Sequence, residues 1–139
     1  MRIDDISGII VHEALEVHRN LGPGLLESVY EALLADRLAR RGLRVERQKA
    51  VCLDWEGKRF EEAFRVDLLV EEAVVVELKS TELDHPAYVK QLLTYLKLLN
   101  LQVGLLINFG KPRLKDGLKR IVHRYPGRAF GNPAEGERR

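Results

Sequence analysis

The 139-residue sequence has one cysteine, Cys52, so no disulfide can form within the chain. No segment approaches the roughly 18 consecutive apolar residues of a membrane span. The N-terminus carries Asp4, Asp5 and Glu13 instead of a basic stretch followed by an unbroken apolar one, which argues against a secretory leader. These absences predict a cytoplasmic protein with no membrane partner. A phosphate-binding loop is also missing: "GPGLLES" contains glycines but no Gly-Lys-Ser/Thr ending, which discounts a P-loop phosphohydrolase. Net charge is only +2, too mild to name a nucleic-acid partner by itself.

What is present describes an ordinary globular domain, with 45% hydrophobic and 32% charged residues. Ile6, Ile10, Ala14, Val17 and Leu21 recur at helical spacing and predict a helix over 5–20, ended by Gly22-Pro23-Gly24. A second amphipathic helix follows and stops at Gly42. Residues 43–80 alternate strand-like runs with turn signals at Glu56-Gly57 and Glu71-Glu72, predicting a three-stranded antiparallel meander. A third helix starts after Pro86, and "LQVGLLINF" is a buried strand. "LKDGLKRIV" reads equally as helix or edge strand. The helix between the third and fourth strands permits a parallel crossover within one sheet. The expected fold is therefore α/β in the sense of a mixed α+β sheet flanked by helices, ordered α-α-β-β-β-α-β-(α/β), in one domain over 1–124. The tail over 125–139 is expected to be flexible and to add nothing to the core.

Asp67, Glu77 and Lys79 interrupt the apolar runs of "FRVDLLVEEAVVVELKS". Strand alternation puts Arg65, Asp67 and Leu69 on one face, opposite Val66, Leu68 and Val70, and likewise sets Glu77 and Lys79 apart from Val76 and Leu78. If the turn centres on Glu72, Asp67 lies across from Glu77; an even turn would separate them. Adjacent carboxylates repel unless a cation lies between them. Hard oxygen ligands suit Mg²⁺ or Mn²⁺, with Lys79 placed to orient or deprotonate an attacking water. The bland reading is an ion pair, Asp67 with Lys79 or Glu77 with Arg65. On the third helix Tyr88, Gln91 and Tyr95 share a face, with His85 one turn earlier. A glutamine there could reach the water or a phosphate. Glu27 opens the second helix on the same face as Tyr30, where it serves either the helix dipole or the site. Two basic clusters, Arg37 to Lys49 and Lys111 to Arg128, could meet a phosphate backbone, although a solvated surface is the commoner use of such runs.

Together these residues resemble the GxxExxY proteins, a branch of the PD-(D/E)XK nuclease-like superfamily. The naming motif stands as Gly24, Glu27 and Tyr30, and the superfamily signature as Asp67, Glu77 and Lys79, followed by Gln91 and Tyr95. The likeness runs from about Ile6 to Val122. One departure is Tyr88, where the family often has histidine, and His85 is the nearest substitute. The resemblance implies a restriction-endonuclease-like core and a phosphodiesterase site. Asp67 and Glu77 would bind Mg²⁺ or Mn²⁺, Lys79 would assist the water, and Glu27 would support the site. The substrate would be nucleic acid, DNA before RNA, with homodimerisation one way for so small a domain to hold a duplex. A non-catalytic module binding nucleic acid or a protein through the same cleft is the alternative.

Overall fold

The computed structural model describes residues 1–124. The tail expected from Tyr125 onward, including Arg128 of the second basic cluster, lies outside them. Helix α1 (Ile3–Leu21) buries Ile6, Ile10, Ala14 and Val17, and carries Asp4 and Asp5 in its first turn where they complement the helix dipole. Gly22 ends it with φ 70°, a conformation costly for residues with a side chain. Helix α2 (Glu27–Arg40) follows, then β1 (Val45–Trp55), β2 (Lys58–Val70) and β3 (Val74–Lys79). Glu56 and Gly57, both at positive φ, make the tight turn between β1 and β2. Helix α3 (Pro86–Leu99) crosses to β4 (Val103–Asn108), and a short 3-10 turn (Leu114–Gly117) leads into β5 (Leu118–Val122). The segment that read equally as helix or strand is thus a tight turn and an edge strand.

The five strands form one sheet in sequence order, antiparallel except for the parallel β3–β4 pair. This is the mixed, helix-flanked α+β sheet expected of a restriction-endonuclease-like core. Leu68, Val70, Val74, Val76, Leu78, Leu105 and Ile107 pack on one side with α1 and α2. Val66, Leu69, Val75 and Leu106 pack on the other with Leu92 and Leu96 of α3, each large side chain contributing about 1.5–3 kcal/mol by burial. Close approach of α3 requires Gly104 in β4, where an added Cβ would lie 2.9 Å from the Leu92 side chain.

Simple alternation fails at Asp67. Val66 packs with Leu69 against α3, whereas Leu68 and Val70 face the other side, so Val66 and Leu68 do not share a face as alternation predicts. The β1–β2 ladder pairs Arg47 with Leu68 and Lys49 with Val66 but skips Gln48 and Asp67, and Gln48 adopts φ 49°. The strand turns over at Asp67, which frees that residue's backbone and side chain for other partners.

Candidate functional site

The β2–β3 register pairs Leu68 with Val76, Leu69 with Val75 and Val70 with Val74. The turn therefore centres on Glu72, the odd-numbered case, and the next position brings Asp67 to Glu77. There side chains replace the ladder. The Asp67 N–H donates to Glu77 Oε1 (3.1 Å), and the Leu78 N–H donates to Asp67 Oδ2 (2.8 Å). Each carboxylate is thereby fixed by the backbone of the opposite strand.

The environment of this pair differs from that of other buried acids. Glu13 is buried, yet Arg37 and Arg41 each reach it at 2.6 Å. Burial pushes its carboxyl up, but the two guanidinium groups outweigh that and hold it below the ordinary value. Glu31 is buried against Arg47 at 3.1 Å. Glu77 is only 6% exposed and, among the described residues, neither it, Asp67, Glu27 nor Lys79 joins a salt bridge. The ion pairs Asp67/Lys79 and Glu77/Arg65 do not form; Arg65 bonds Glu62 instead. Burial first, and the Asp67 charge second, drive the Glu77 carboxyl from 4.5 to about 8, with Lys79 only partly opposing them. Glu27 at the start of α2 is raised in the same way, by burial and then by Asp67, so it belongs to the same electrostatic cluster.

Two residues not singled out from the sequence complete the arrangement. The Gln48 amide donates to Glu31 Oε1 at 2.5 Å and to Asp67 Oδ1 at 3.1 Å, bridging α2 to the acid pair. Glu31 lies four residues after Glu27, a spacing that put it on the same helix face. Nothing in the sequence announced the left-handed backbone that turns Gln48 inward.

Helix α3 supplies the other wall. Lys79 Nζ sits 4.5 Å above the Tyr88 ring, an aromatic seat for a cation. Tyr95 stacks on Phe64 of β2 with centroids 4.1 Å apart. Burial, then the charges of Glu77 and Asp67, raise its hydroxyl's pKa, while a hydrogen bond with Gln91 works the other way. Tyr95 thus lies within electrostatic reach of the acids, and Gln91, exposed, stands one turn before it on the same helix face. His85 takes a structural post: Nδ1 accepts the Ala87 N–H and caps α3. Its ring lies 5.9 Å from Tyr88.

Tyr30 is likewise structural. It is fully buried, stacks on Phe109 at 4.3 Å, donates its hydroxyl to Gly22 O and accepts from the Leu25 N–H. Ser80 donates to Leu25 O at 2.6 Å, which ties the same loop to the end of β3 and sets Glu27 beside Lys79. Buried Asn108 accepts the N–H groups of Thr81 and Gly110 and donates to Asp84, pinning the segment from β3 to α3.

The basic clusters are mostly committed within the fold. Arg37 and Arg41 serve Glu13, Arg44 reaches Glu71 and Glu72, and Arg47 serves Glu31. Lys49 pairs with Glu46, Lys111 with Asp84, Arg113 with Asp116, and Arg120 with Asp4. No helix is long and apolar enough to cross a membrane among the described residues.

Among the described residues no group of three or more His, Cys, Asp or Glu side chains is arranged to hold a metal. The donor set is instead two fixed carboxylates, Glu77 buried and Asp67 half-buried, with no ion-pair partner. That chemistry fits a hard divalent ion that takes one or two protein carboxylates and keeps several waters. Neither a curated protein nor a solved structure matches the chain. A family model described as the PD-(D/E)XK nuclease superfamily matches residues 4–121. The Asp67, Glu77 and Lys79 signature falls inside that span, on the hairpin where the sheet opens, and the chain belongs to the PD-(D/E)XK nuclease superfamily.

Proposed function

We propose that this protein is a divalent-metal-dependent nuclease that hydrolyses phosphodiester bonds of DNA, in the GxxExxY branch of its superfamily. One observation carries the reading: Asp67 and Glu77 are held side by side, Glu77 buried and Asp67 half-buried, with no ion-pair partner, where the other buried carboxylates have arginines. Mg²⁺ or Mn²⁺, held by Asp67 and Glu77, would neutralise the pair and polarise the scissile phosphate. The chain's own groups do the rest. Lys79, seated on Tyr88, offers its ammonium to the attacking water and to the charge that develops on the phosphate. Gln91 and the Tyr95 hydroxyl, about one helical turn apart on α3, line the α3 side and orient that water. Gln48 and Glu31 hold Asp67 in its rotamer, and Glu27 borders the entrance.

The test is cleavage of labelled single-stranded, duplex and branched DNA with Mg²⁺ or Mn²⁺, comparing wild type with Asp67→Ala and Lys79→Ala. Metal-dependent cutting by the wild type, lost in both folded variants, is expected. Cutting that survives Asp67→Ala would remove this site from the reaction. No cutting by a folded wild type, with DNA still bound, would favour a non-catalytic binding module.

A further inference from the structure

The β1–β2 hairpin extends well beyond the rest of the sheet. Strand β3 pairs only with residues 68–70 of β2, so 49–55 and 58–66 form a two-stranded arm, about 20–25 Å long at 3.3 Å per residue. Its two faces differ. On one, Arg59 is bound by Asp54 and Glu61, so the charges there satisfy one another.

The other face is apolar. Leu53 pairs with Phe60 and Trp55 with Lys58, and residues paired or two apart share a face. Val51 and Phe64 pair nearer the base, beyond a register shift between Val51 and Leu53 at which β2 carries two extra residues, an even offset that keeps them on the same face. Phe64 stacks on Tyr95, whose hydroxyl feels Glu77 and Asp67. An aromatic track therefore runs from the acid pair through Tyr95 and Phe64 to Phe60 and Trp55, both 50% exposed. Lys79 at one end and Lys58 at the other join no salt bridge among the described residues, unlike most of the basic clusters.

We infer that this face of the arm is a stacking platform for single-stranded nucleic acid leaving the Asp67/Glu77 cleft, with Trp55 and Phe60 receiving bases and Lys58 a phosphate. The inference rests on the nuclease reading and narrows its substrate to strands with an unpaired segment. The chemistry favours that occupant. Flat rings with a cation beside them suit unstacked bases on a phosphate backbone, whereas a duplex hides its base faces and needs a field of free cations that these clusters no longer supply.

Trp55 is the only tryptophan in the chain, so its emission reports on the arm. The full-length protein without divalent metal, where no cutting occurs, is titrated with a 20-nucleotide oligothymidine and with a 20-base-pair duplex. Saturable quenching by the single strand, and little by the duplex, is expected. Anisotropy of the labelled oligothymidine should show ~5- to 100-fold weaker binding for Trp55→Ala and for Phe60→Ala. Trp55→Phe should restore most of it, and all variants should melt like wild type. Unquenched emission, or single-strand affinity unchanged in both alanine variants, would overturn the platform. So would a wild-type dimer in sedimentation, without nucleic acid, that both alanine variants dissolve, because a second copy would then cover the face. Cleavage of the same oligonucleotide in Mn²⁺ separates the two readings. Quenching without cleavage keeps the platform and defeats the nuclease, whereas cleavage undiminished in both variants keeps the nuclease and defeats the platform.

Discussion

Replacing Glu77 with glutamine should make the metal-free protein more stable at neutral and alkaline pH. The carboxyl titrates near 8 in the fold, against an ordinary 4.5, because burial and Asp67 disfavour its charge. A raised carboxyl pKa means that the folded state holds the proton more tightly than the unfolded chain does. Stability is then complete below pH 4.5, falls as pH rises, and falls no further once pH passes about 8. Each pH unit in that window removes about 1.4 kcal/mol, so the cost is under about 1 kcal/mol at pH 5 and about 3 kcal/mol at pH 7. Glutamine keeps the oxygen that accepts the Asp67 N–H and has no proton to lose. Thermal melts in EDTA should show Glu77→Gln and wild type within a few degrees at pH 5. At pH 7 and above the variant should melt about 10 °C higher, at roughly 3–5 °C per kcal/mol for a domain of this size. Mg²⁺ should close most of that gap at pH 7. At a hundred times its dissociation constant it adds about 2.7 kcal/mol to a protein that binds it, and only the wild type should gain. Parallel pH profiles for the two proteins, or equal stabilisation of both by Mg²⁺, would refute the account of an acid pair lacking a counter-cation.

The same titration sets the metal's pH dependence: ion binding needs Glu77 deprotonated, so affinity measured by calorimetry should rise by up to about tenfold per pH unit below pH 8 and then level off. Gln48→Leu removes the donor that fixes Asp67 and should raise the Mg²⁺ concentration for half-maximal cleavage by about 10- to 100-fold; an unchanged metal requirement would show that Asp67 needs no such support. Tyr30→Phe keeps the Phe109 stack but leaves Gly22 O and the Leu25 N–H without their hydroxyl partner. Urea unfolding should then show a loss of about 1–3 kcal/mol. Glu13 carries the opposite linkage to Glu77: its lowered pKa contributes stability above pH 4.5 that is lost as pH falls through the folded value. Glu13→Gln should therefore flatten that acid-side loss, and an unaltered acid limb in pH-dependent melts would count against the Arg37–Glu13–Arg41 link.

Periodicity alone located both N-terminal helices, the meander, α3 and the buried β4, because apolar spacing of 3.6 or 2 residues is a local property of the chain. Charges inside strands picked out Asp67, Glu77 and Lys79 for the same reason: an isolated charge in an apolar run is costly wherever the run folds. What the sequence left open were matters of contact between distant residues. The parity of the β2–β3 turn was decided by positive φ at Glu71 and Glu72, which no residue type there requires. The turnover of β2 at Asp67 and the inward Gln48 came from a break in the β1–β2 ladder, invisible to an alternation rule that assumes an unbroken strand. Basic runs that looked available for phosphate proved to be largely ion-paired, in several cases with acids tens of residues away, as Glu13 lies from Arg37 and Arg41. The roles of His85 and Tyr30, open in the sequence, became those of a helix cap and a loop clamp once their hydrogen-bond partners were in place. The sequence by itself determined which residues cannot sit comfortably in a core. Only the tertiary structure decided which of them found an ion-pair partner and which did not, because pairing depends on distances that local spacing does not contain.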